Sequence, residues 1–346
     1  MTLLFTAYLA NYISPAQVWF FGFTGMAFPY ILIINLGCIL FWLVMRRKYV
    51  YISLLAILIG WGTVRRTFQI NIVNHRHTDN SIKVMSYNVK MFGLYSHKNF
   101  DVRDSILTYI KKQHPDIICF QEFGTIDNID SLSEDYLKSY LPFVPYSHIH
   151  HRNNNTKKAS FGIAIFSSYP IINKGRFEFT KSVNMCIYAD IVYHYDTIRV
   201  FNMHLESTGI KQKKYNVVDN LMLDFDNNKL KEVKRISSNL RDAFQKRSEQ
   251  VDYMAYVIKN SPYPVMVCGD FNDTPVSYSY SRLKRKLRDS FVKAGNGTGT
   301  TYHESFPSFR IDYIFHDRKY KVRDYHTSKI DLSDHYPIYC VLSKRR

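Results

Sequence analysis

The N-terminal part of this 346-residue chain lacks acidic side chains, since the first one is Asp79. Residues 1–45 carry no charged side chain of either sign, and Val18–Met45 is an almost unbroken apolar run of 28 residues. A run of this length can cross a bilayer with some tilt, because about 20 apolar residues match the hydrocarbon core. The absence of charge therefore predicts a transmembrane helix, which Pro29 should kink.

A second apolar run, Tyr49–Val64, has only 16 residues and is flanked by basic side chains on both sides. It could still span a bilayer if the flanking arginines reach back to the interface. Residues 2–13 are also apolar, so we expect a membrane anchor over residues 1–66 with two or three transmembrane helices. A cleaved signal peptide is the alternative, but the chain lacks a basic start and its apolar region is too long and is repeated.

Basic residues around the second apolar run bear on membrane topology. The triplet Arg46–Lys48 predicts a cytoplasmic loop, which would place everything after residue 66 outside the cytoplasm. The pair Arg65–Arg66 argues for the opposite orientation. Residues 67–80 are polar and predict a linker to the rest of the chain.

The five cysteines lack C-x-x-C spacing, so they predict buried free thiols rather than a zinc site or a disulfide framework. The stretch Gly295–Gly299 lacks the Lys-Thr and the helix pattern of a phosphate-binding P-loop, and we interpret it as a surface turn. The formal charge is +17, of which +11 lies after residue 78. This excess favours anionic partners such as nucleic acid, phosphorylated ligands or acidic lipid, without choosing among them.

From Ser81 onward, short apolar runs alternate with polar turns, as in a domain built from many strands. Strand patterns occupy Ile82–Tyr87, Asp116–Phe120, Phe161–Ser167, Met185–Val192, Thr197–Glu206, Pro264–Asp270, Arg310–His316 and Tyr336–Leu342. Helical patterns occupy Val102–Lys112 and residues 226–259, where apolar residues recur at threes, fours and sevens. Many strands with few helices between them predict two packed sheets with helices outside, over residues 81–346.

Polar side chains stand at the ends of at least six of these apolar strands. They are Asn88, Glu122, His204, Asp270 with Asn272, Asp312, and Asp334 with His335. A strand end can hold a side chain rigidly at the rim of a core. Ordinary alternatives exist, such as a turn cap for Asn88, an exposed acid for Glu122 and a satisfied core histidine for His204. Asp312 is harder to dismiss, because a charge inside an apolar strand is costly unless it is paired or bound to metal.

Together these residues contain every part of a metal-assisted phosphodiesterase. Glu122 offers hard oxygen to Mg²⁺ or Mn²⁺, and two histidines can transfer protons near neutral pH. Asp312 could orient a histidine, and the amides of Asn88 and Asn272 could hold phosphate oxygens. Asp270 is an anion that can take a proton or hold a metal.

Several segments, in chain order, resemble the endonuclease/exonuclease/phosphatase superfamily. They are Ser86–Asn88, Gln121–Glu122, Phe161–Ser167 with Tyr169–Pro170, Asn202–Leu205, Gly269–Asn272, Arg310–Ile314 and Ser333–Pro337. The resemblance covers residues 81–344 and implies a four-layered α/β sandwich of two packed mixed sheets with helices outside. The N-terminal transmembrane helices resemble those of membrane-anchored bacterial members, which implies a bacterial inner-membrane protein, and the triplet Arg46–Lys48 predicts that its catalytic domain is extracytoplasmic.

The resemblance also implies a metal site that binds Mg²⁺ or Mn²⁺. Glu122 resembles the principal metal ligand of the superfamily. Asn88 and Asp334 match residues that lie near the metal.

Five further residues resemble the catalytic groups of the superfamily. Asp270 and Asn272 match the pair that acts on water and on the scissile phosphate. His335, oriented by Asp312, matches the histidine that contacts the phosphate and serves as base or transition-state stabiliser, so either His335 or Asp270 takes the proton from water. His204 matches the histidine that deoxyribonuclease-like members use near the leaving group, so the chain departs here from the repair-nuclease type.

The predicted activity is divalent-metal-dependent hydrolysis of a phosphodiester by in-line attack of water, most simply by an endonuclease-type nuclease acting on nucleic acid. A lipid or phosphoester hydrolase of the sphingomyelinase or inositol phosphatase type is the alternative, although no strongly apolar insertion is evident outside residues 207–225. A non-catalytic binding module is a third reading, against which the full set of acids and histidines argues. The other expected partner is the lipid bilayer, and the sequence indicates no protein partner.

Overall fold

The computed structural model describes residues 1–71, 80–93, 99–125, 133–152, 160–208, 227–304 and 308–345. The chain divides into two compact units. The first comprises residues 1–69, 206–256 and 272–285, and the second comprises residues 70–205, 257–271 and 286–346. Residues 72–79 of the predicted linker lie outside the described residues.

Two six-stranded mixed sheets form the second unit. Their strands are β1 (Ser81–Asn88), β2 (Ile117–Thr125), β3 (Tyr146–Arg152), β4 (Ser160–Ser167), β5 (Ile171–Glu178), β6 (Met185–Tyr193), β7 (Asp196–His204), β8 (Val265–Asp270), β9 (Arg288–Asp289), β10 (Asp312–His316), β11 (Tyr320–Thr327) and β12 (Ile338–Lys344). The first sheet has the order β11-β12-β1-β2-β4-β3, and the second has the order β5-β6-β7-β8-β10-β9.

Helices account for the remaining regular structure of the described residues. The N-terminal helices are α1 (Thr2–Leu9), α2 (Phe20–Met26), α3 (Phe28–Met45), α4 (Val50–Ile59) and α5 (Trp61–Thr67). The later helices are α6 (Asn99–Gln113), α7 (Glu134–Tyr140), α8 (Asn227–Lys259), α9 (Tyr278–Lys284) and α10 (Ser290–Ala294). A short 3₁₀ helix covers Arg47–Tyr49, and a left-handed turn covers Lys90–Gly93.

Strand alternation decides which side chains fill the core between the sheets. In β1, Ile82 and Val84 join the core shared by the two sheets, whereas Met85 and Tyr87 join the cluster that α6 and α7 complete. Burying one such aliphatic side chain contributes about 1.5–3 kcal/mol. The predicted four-layered α/β sandwich, with two mixed sheets packed together and helices around them, is confirmed.

Four cysteines lie in this second unit, and all four are buried free thiols, as the sequence predicts. Cys119 and Cys268 lie in the core between the sheets. The apolar surroundings of Cys186 raise the pKa of its thiol well above the ordinary value. These cysteines therefore act as small apolar side chains of the core.

The N-terminal helices of the first unit differ from the prediction in their boundaries. Val18–Met45, predicted as one kinked helix, contains α2 and α3, which Ala27 separates. Pro29 lies in the first turn of α3, where a proline loses no helical hydrogen bond, so it begins a helix instead of kinking one. The second predicted run is likewise divided, since Gly60 separates α4 from α5.

One helix in the described part of the chain, the 18-residue α3, is long and apolar enough to cross a membrane, with a mean hydropathy of 2.2. Several of its apolar side chains point outward, and Ile33 and Val44 are 64% and 85% exposed. Inside the first unit, Leu4 and Phe28 pack with Val276, which follows β8 in the chain. The N-terminal helices therefore have an inner face packed on protein and an outer apolar face.

Candidate active site

Three neighbouring strands of the second sheet bring polar residues into one row. His204 ends β7 and is the register partner of Asp270 in the parallel pair of β7 and β8. Asp270 in turn pairs with Asp312 at the start of β10. Because Cys268 lies in the core between the sheets, alternation directs Asp270, two residues later, towards the same side. The ionisable groups of His204, Asp270 and Asp312 therefore lie at the edge of the apolar core between the sheets.

Asn88 brings the first sheet to this row. It ends β1, is fully buried, and its Nδ2 donates to Asp270 Oδ2 and to Glu122 Oε1, both at 3.1 Å. One amide thus joins an acid of the first sheet to an acid of the second. Two carboxylates held on one donor form a compact negative centre.

Glu122 reaches this centre through an irregularity in β2. The pairing of β2 with β4 shifts register between Phe120 and Phe123, and Glu122 has a left-handed φ of 50°. Such a backbone costs a non-glycine residue about 1–3 kcal/mol and is a common feature of functional sites. Burial raises the pKa of the Glu122 carboxyl, and the hydrogen bond from Asn88 opposes that rise. Its side chain is 31% exposed, against 1% for Asp270, so it is the more accessible acid.

His335 is held between two carboxylates. Its Nδ1 donates to Asp312 Oδ2 at 2.8 Å, and its Nε2 lies 3.7 Å from Asp270 Oδ2. Burial alone would lower the pKa of His335, but the charges of Asp312 and Asp270 raise it to about 10. The ring of Tyr302 packs edge-on against the imidazole, with 5.2 Å between ring centroids. The imidazole therefore has a fixed orientation and carries a positive charge at neutral pH.

His204 is a second histidine beside the same aspartate. Its Nε2 lies 3.7 Å from Asp270 Oδ2 and 4.0 Å from Glu122 Oε1. The His204 side chain is only 5% exposed. The Asp270 oxygen therefore has two histidine nitrogens at equal distances.

Asp334 belongs to a neighbouring charged group. Lys90 Nζ lies 3.1 Å from Asp334 Oδ2 and 2.6 Å from Glu304 Oε1. Burial would raise the pKa of Asp334, but the charges of His335 and Lys90 outweigh burial and lower it. Lys90 is the first of four consecutive residues with left-handed φ angles, and its N–H donates to Asn88 Oδ1 at 3.1 Å. The turn after β1 thus places a cation beside the acids.

Asn202 connects the two sheets by hydrogen bonds, close in sequence to His204. Its Nδ2 donates to the carbonyls of Phe120 and Ala164, both at 2.8 Å, and its Oδ1 accepts from Gln121 Nε2 at 2.6 Å. Leaving such a buried amide unpaired would cost about 1–3 kcal/mol. Asn202 therefore fixes β7 against β2 and β4 two residues before His204.

The structure brings most of the predicted site residues together. Those in or beside the cluster are Asn88, Glu122, His204, Asp270, Asp312, Asp334 and His335. Asn272 lies two residues beyond Asp270 in the first unit and has a left-handed φ of 51°. Its role stays a prediction from the sequence.

Three residues of this region carry contacts that sequence reasoning did not assign. Asn202 has a usable signal, because it lies two residues before His204 and so shares its face of β7. Lys90 and Glu304 have none, since they come from a left-handed turn and from a loop outside the strand pattern.

The donor set fits a divalent cation. One ligand atom each from Asp270, Asp312 and His335 lies within 4.8 Å of the others, and all three residues are buried. Because His335 Nδ1 already donates to Asp312, Asp270 and Glu122 are the carboxylates left to face a cation. Their hard oxygens are the ligands that Mg²⁺ and Mn²⁺ prefer.

The comparisons with known proteins show a fold that phosphoester hydrolases share, and members of this class generally use divalent metals. The Endonuclease/Exonuclease/phosphatase family model matches residues 85–335, so the chain belongs to this family and the predicted resemblance is confirmed. A second family model, described as a domain of unknown function, matches residues 1–67. No curated protein gives a significant match.

Solved structures of low sequence identity share the fold. The chain is 18% identical to D. rerio TDP2 complexed with a single-strand DNA product, with a TM-score of 0.55 over 77% of this chain and 100% of that one. It is 16% identical to the human Nocturnin catalytic domain with bound sulfate anion, with a TM-score of 0.54 over 77% of this chain and 95% of that one. A family protein from Bacteroides thetaiotaomicron is 19% identical, with a TM-score of 0.52 over 77% and 96%.

Proposed function

We propose that the chain is a membrane-anchored, divalent-metal-dependent phosphodiester hydrolase of the endonuclease type. The observation that carries this proposal is the position of Asp270 Oδ2. It accepts from Asn88 at 3.1 Å and lies 3.7 Å from Nε2 of both His204 and His335. A buried carboxylate that lies close to two imidazoles forms a set of groups that can exchange protons with a substrate.

Glu122 would be the chief ligand of the metal, and Asn88 and Asp334 would lie close to it. When bound, Mg²⁺ or Mn²⁺ neutralises charge on the phosphoryl oxygens and on the leaving oxygen. Glu122 suits this role because it is the most open carboxylate of the cluster and already shares the Asn88 amide with Asp270.

Protons are moved by the chain's own residues. Asp270 takes a proton from the attacking water as the new P–O bond forms. Charged His335, held by Asp312, donates a hydrogen bond to a phosphoryl oxygen, and Asn272 donates another. His204 gives a proton to the leaving oxygen as the old P–O bond breaks. The high pKa of His335, about 10, favours Asp270 over His335 as the base.

Charge supports a nucleic-acid substrate. The chain after residue 78 carries a net charge of +11. D. rerio TDP2, which shares the fold, is complexed with a single-strand DNA product, and human Nocturnin has a bound sulfate anion. Four cations are candidates for phosphate contact, namely Lys157, Lys158, Lys174 and Arg176. Lys174 Nζ donates to the Ser147 carbonyl at 2.6 Å and Arg176 pairs with Glu178 at 3.2 Å, while residues 157–158 lie outside the described residues.

A lipid phosphoester is the second candidate substrate, in the manner of a sphingomyelinase or an inositol phosphatase. The outward apolar face of α3 supports it, because a chain held at a bilayer meets lipid headgroups first. The segment in which an apolar insertion could occur, residues 207–225, lies outside the described residues from 209 onward.

Anchoring forms part of the same proposal. Residues 1–66 are the anchor, residues 67–80 the linker and residues 81–346 the catalytic domain, which lies outside the cytoplasm of a bacterial inner membrane. Alkaline extraction should leave the chain in the membrane fraction, and protease added to spheroplasts should digest a C-terminal tag. A tag that is protected until the membrane is dissolved would reverse the orientation.

The substrate is tested with the full-length chain in detergent micelles. It is supplied with supercoiled plasmid, sphingomyelin vesicles and phosphoinositide vesicles, each with Mg²⁺ or Mn²⁺ and with EDTA. Plasmid nicking that EDTA stops and that weakens as salt rises from 50 to 200 mM supports the nuclease, because phosphate contacts release counterions. Hydrolysis of a lipid alone supports the second candidate. No hydrolysis of any substrate contradicts the proposal.

A further inference from the structure

Two strands, β7 and β8, end in a central residue of the site. After each of them the chain passes into the first unit within two residues. β7 ends at His204, and the chain belongs to the first unit from Glu206. β8 ends at Asp270, and the chain belongs to the first unit from Asn272. The backbone that follows each of these residues is therefore placed by the packing of the N-terminal helices' own unit.

Arg247 of α8 contacts both of the segments that follow β7 and β8. Its side chain is 1% exposed, and its Nη1 donates to the Glu206 carbonyl at 2.8 Å. Its Nε lies 3.6 Å from Asp273 Oδ2, one residue beyond Asn272. Gln250, almost one turn further along α8, accepts from the Glu206 N–H at 2.9 Å. A rigid guanidinium fork can fix a carbonyl and a carboxylate in one geometry, which a flexible lysine ammonium cannot.

The N-terminal helices pack on α8 at the residue one turn before Arg247. The Phe23 ring of α2 meets the Phe244 ring edge-on, with 5.2 Å between centroids. The Arg247 guanidinium lies over the Phe244 ring, 5.1 Å from its centroid. Contacts thus run from α2 through Phe244 to Arg247 without a break.

Two more contacts join the N-terminal helices to the segment after β8. A Cβ on Gly25 would lie 2.8 Å from Ala10 Cβ and closer still to the Val276 carbonyl, so a side chain does not fit there. Arg66 Nη1 donates to Asn11 Oδ1 at 3.0 Å and to Ser281 Oγ at 2.9 Å. Close packing and partly buried hydrogen bonds therefore hold this segment at separate points.

We infer that the N-terminal helices are a positioning element of the active site, acting through Phe244 and Arg247 on the backbone that follows His204 and Asp270. This inference rests on the proposed function, since it concerns the geometry of the same site. The N-terminal helices then have two roles, since they anchor the chain and also position the segments that follow β7 and β8.

Arg247 is tested by a conservative change with a matched control. Arg247→Lys keeps the charge and loses the fork. Arg282→Lys makes the same change at another arginine–aspartate pair of the first unit, between α9 and Asp252 of α8. Full-length proteins in detergent are assayed on bis(4-nitrophenyl) phosphate with Mn²⁺, because a soluble probe removes any effect of membrane targeting. We expect Arg247→Lys to lower kcat about 10-fold or more, since small misplacements of reacting groups are costly, with KM within about 2-fold.

Arg282→Lys should leave both constants within about 2-fold of the wild type. Equal kcat values for Arg247→Lys and the wild type would overturn the role of Arg247. A wild type that hydrolyses no phosphodiester would instead contradict the proposed function, so the two failures are distinguishable.

The positioning role of the N-terminal helices is tested by replacing two of their glycines with leucine. Gly25→Leu inserts a side chain against Val276, whereas Gly37→Leu in α3 meets nothing within 4 Å. Gly25→Leu should lower kcat about 10-fold or more at unchanged oligomeric state, and Gly37→Leu should not. If Gly25→Leu fails to fold, Phe23→Ala provides the milder change, since it removes only the ring on Phe244.

Hydrogen exchange gives a readout that does not depend on catalysis. In Phe23→Ala, peptides covering residues 204–208 and 270–276 should exchange faster than in the wild type, while a peptide covering β1 should not change. A folded Phe23→Ala protein with wild-type exchange in both peptides and wild-type kcat would overturn the inference.

Discussion

Two buried histidines stand at opposite ends of the strands that carry the site, and their surroundings differ. His335 lies at the end where Asp270 pairs with Asp312, and His316 lies at the other end, where it pairs with Met266. Burial lowers the pKa of His316 to about 4, and its Nδ1 donates to the Asp317 carbonyl at 2.8 Å. Burial also acts on His335, but two carboxylates raise its pKa to about 10. Equal burial therefore gives one neutral and one charged imidazole, and the row of acids makes the difference.

The largest expected effect comes from the acid at the centre of that row. Asp270→Ala should lower phosphodiester hydrolysis about 10²-fold or more, because both acid–base and electrostatic contributions are of that size. Asp317→Ala, beside His316 at the opposite end, is the matched control and should stay within about 2-fold of the wild type. Both variants are compared with the wild type by steady-state rates at saturating Mg²⁺. Near-full activity of Asp270→Ala would contradict the catalytic role of Asp270.

Exchanging each histidine for glutamine tests the comparison directly. His335→Gln should lower kcat about 10²-fold, because it removes the positive charge between Asp270 and Asp312. His316→Gln should change kcat by no more than about 3-fold. Similar losses in both variants would mean that burial, and not the acids, distinguishes the two ends.

Removing the partner of His335 should have a smaller effect. Asp312→Asn keeps the shape and a hydrogen-bond acceptor but loses the charge 2.8 Å from Nδ1. We expect kcat to fall about 10- to 100-fold and the pKa of His335 to fall, as followed by NMR of the imidazole. An unchanged imidazole titration would show that Asp312 does not set its charge.

The smallest effects are changes of stability with pH, and they have opposite signs. His335 has a raised pKa in the fold, so its contribution is complete below its ordinary value of 6.5 and is lost as pH rises through about 10. His316 has a lowered pKa, so stability is complete above 6.5 and is lost as pH falls towards 4. Melting temperatures of the wild type and the two glutamine variants between pH 4 and 10 measure both. His335→Gln should flatten the alkaline side and His316→Gln the acidic side, each by about a few degrees.

The sequence predicts the inner strands well because burial shapes their composition. Alternation alone directs Asn88, His204 and Asp270 to the inner faces of their strands, two or four residues after core positions. The apolar pattern predicts none of the edge strands β3, β5, β9 and β11, because an edge strand buries less surface and carries polar side chains such as His150 and His151.

Two features of the site have no signal in the apolar pattern. The direction of Glu122 depends on a bulge that interrupts the alternation of β2. The Lys90 position depends on four successive left-handed residues, of which only the last, Gly93, is a glycine. Both are local backbone irregularities that the surrounding fold holds in place, so single-residue preferences do not predict them.

Metal dependence tests the central claim, that side chains from both sheets gather around a divalent cation to cut a phosphodiester. The measurement is hydrolysis of bis(4-nitrophenyl) phosphate by the full-length chain and by Glu122→Gln, across a Mg²⁺ and Mn²⁺ titration with EDTA as the blank. We predict that the wild type is inactive in EDTA and saturates with metal, and that Glu122→Gln loses about 10²-fold in rate and needs more metal. Equal rates for the two proteins, or a wild-type rate that EDTA leaves unchanged, would contradict the account.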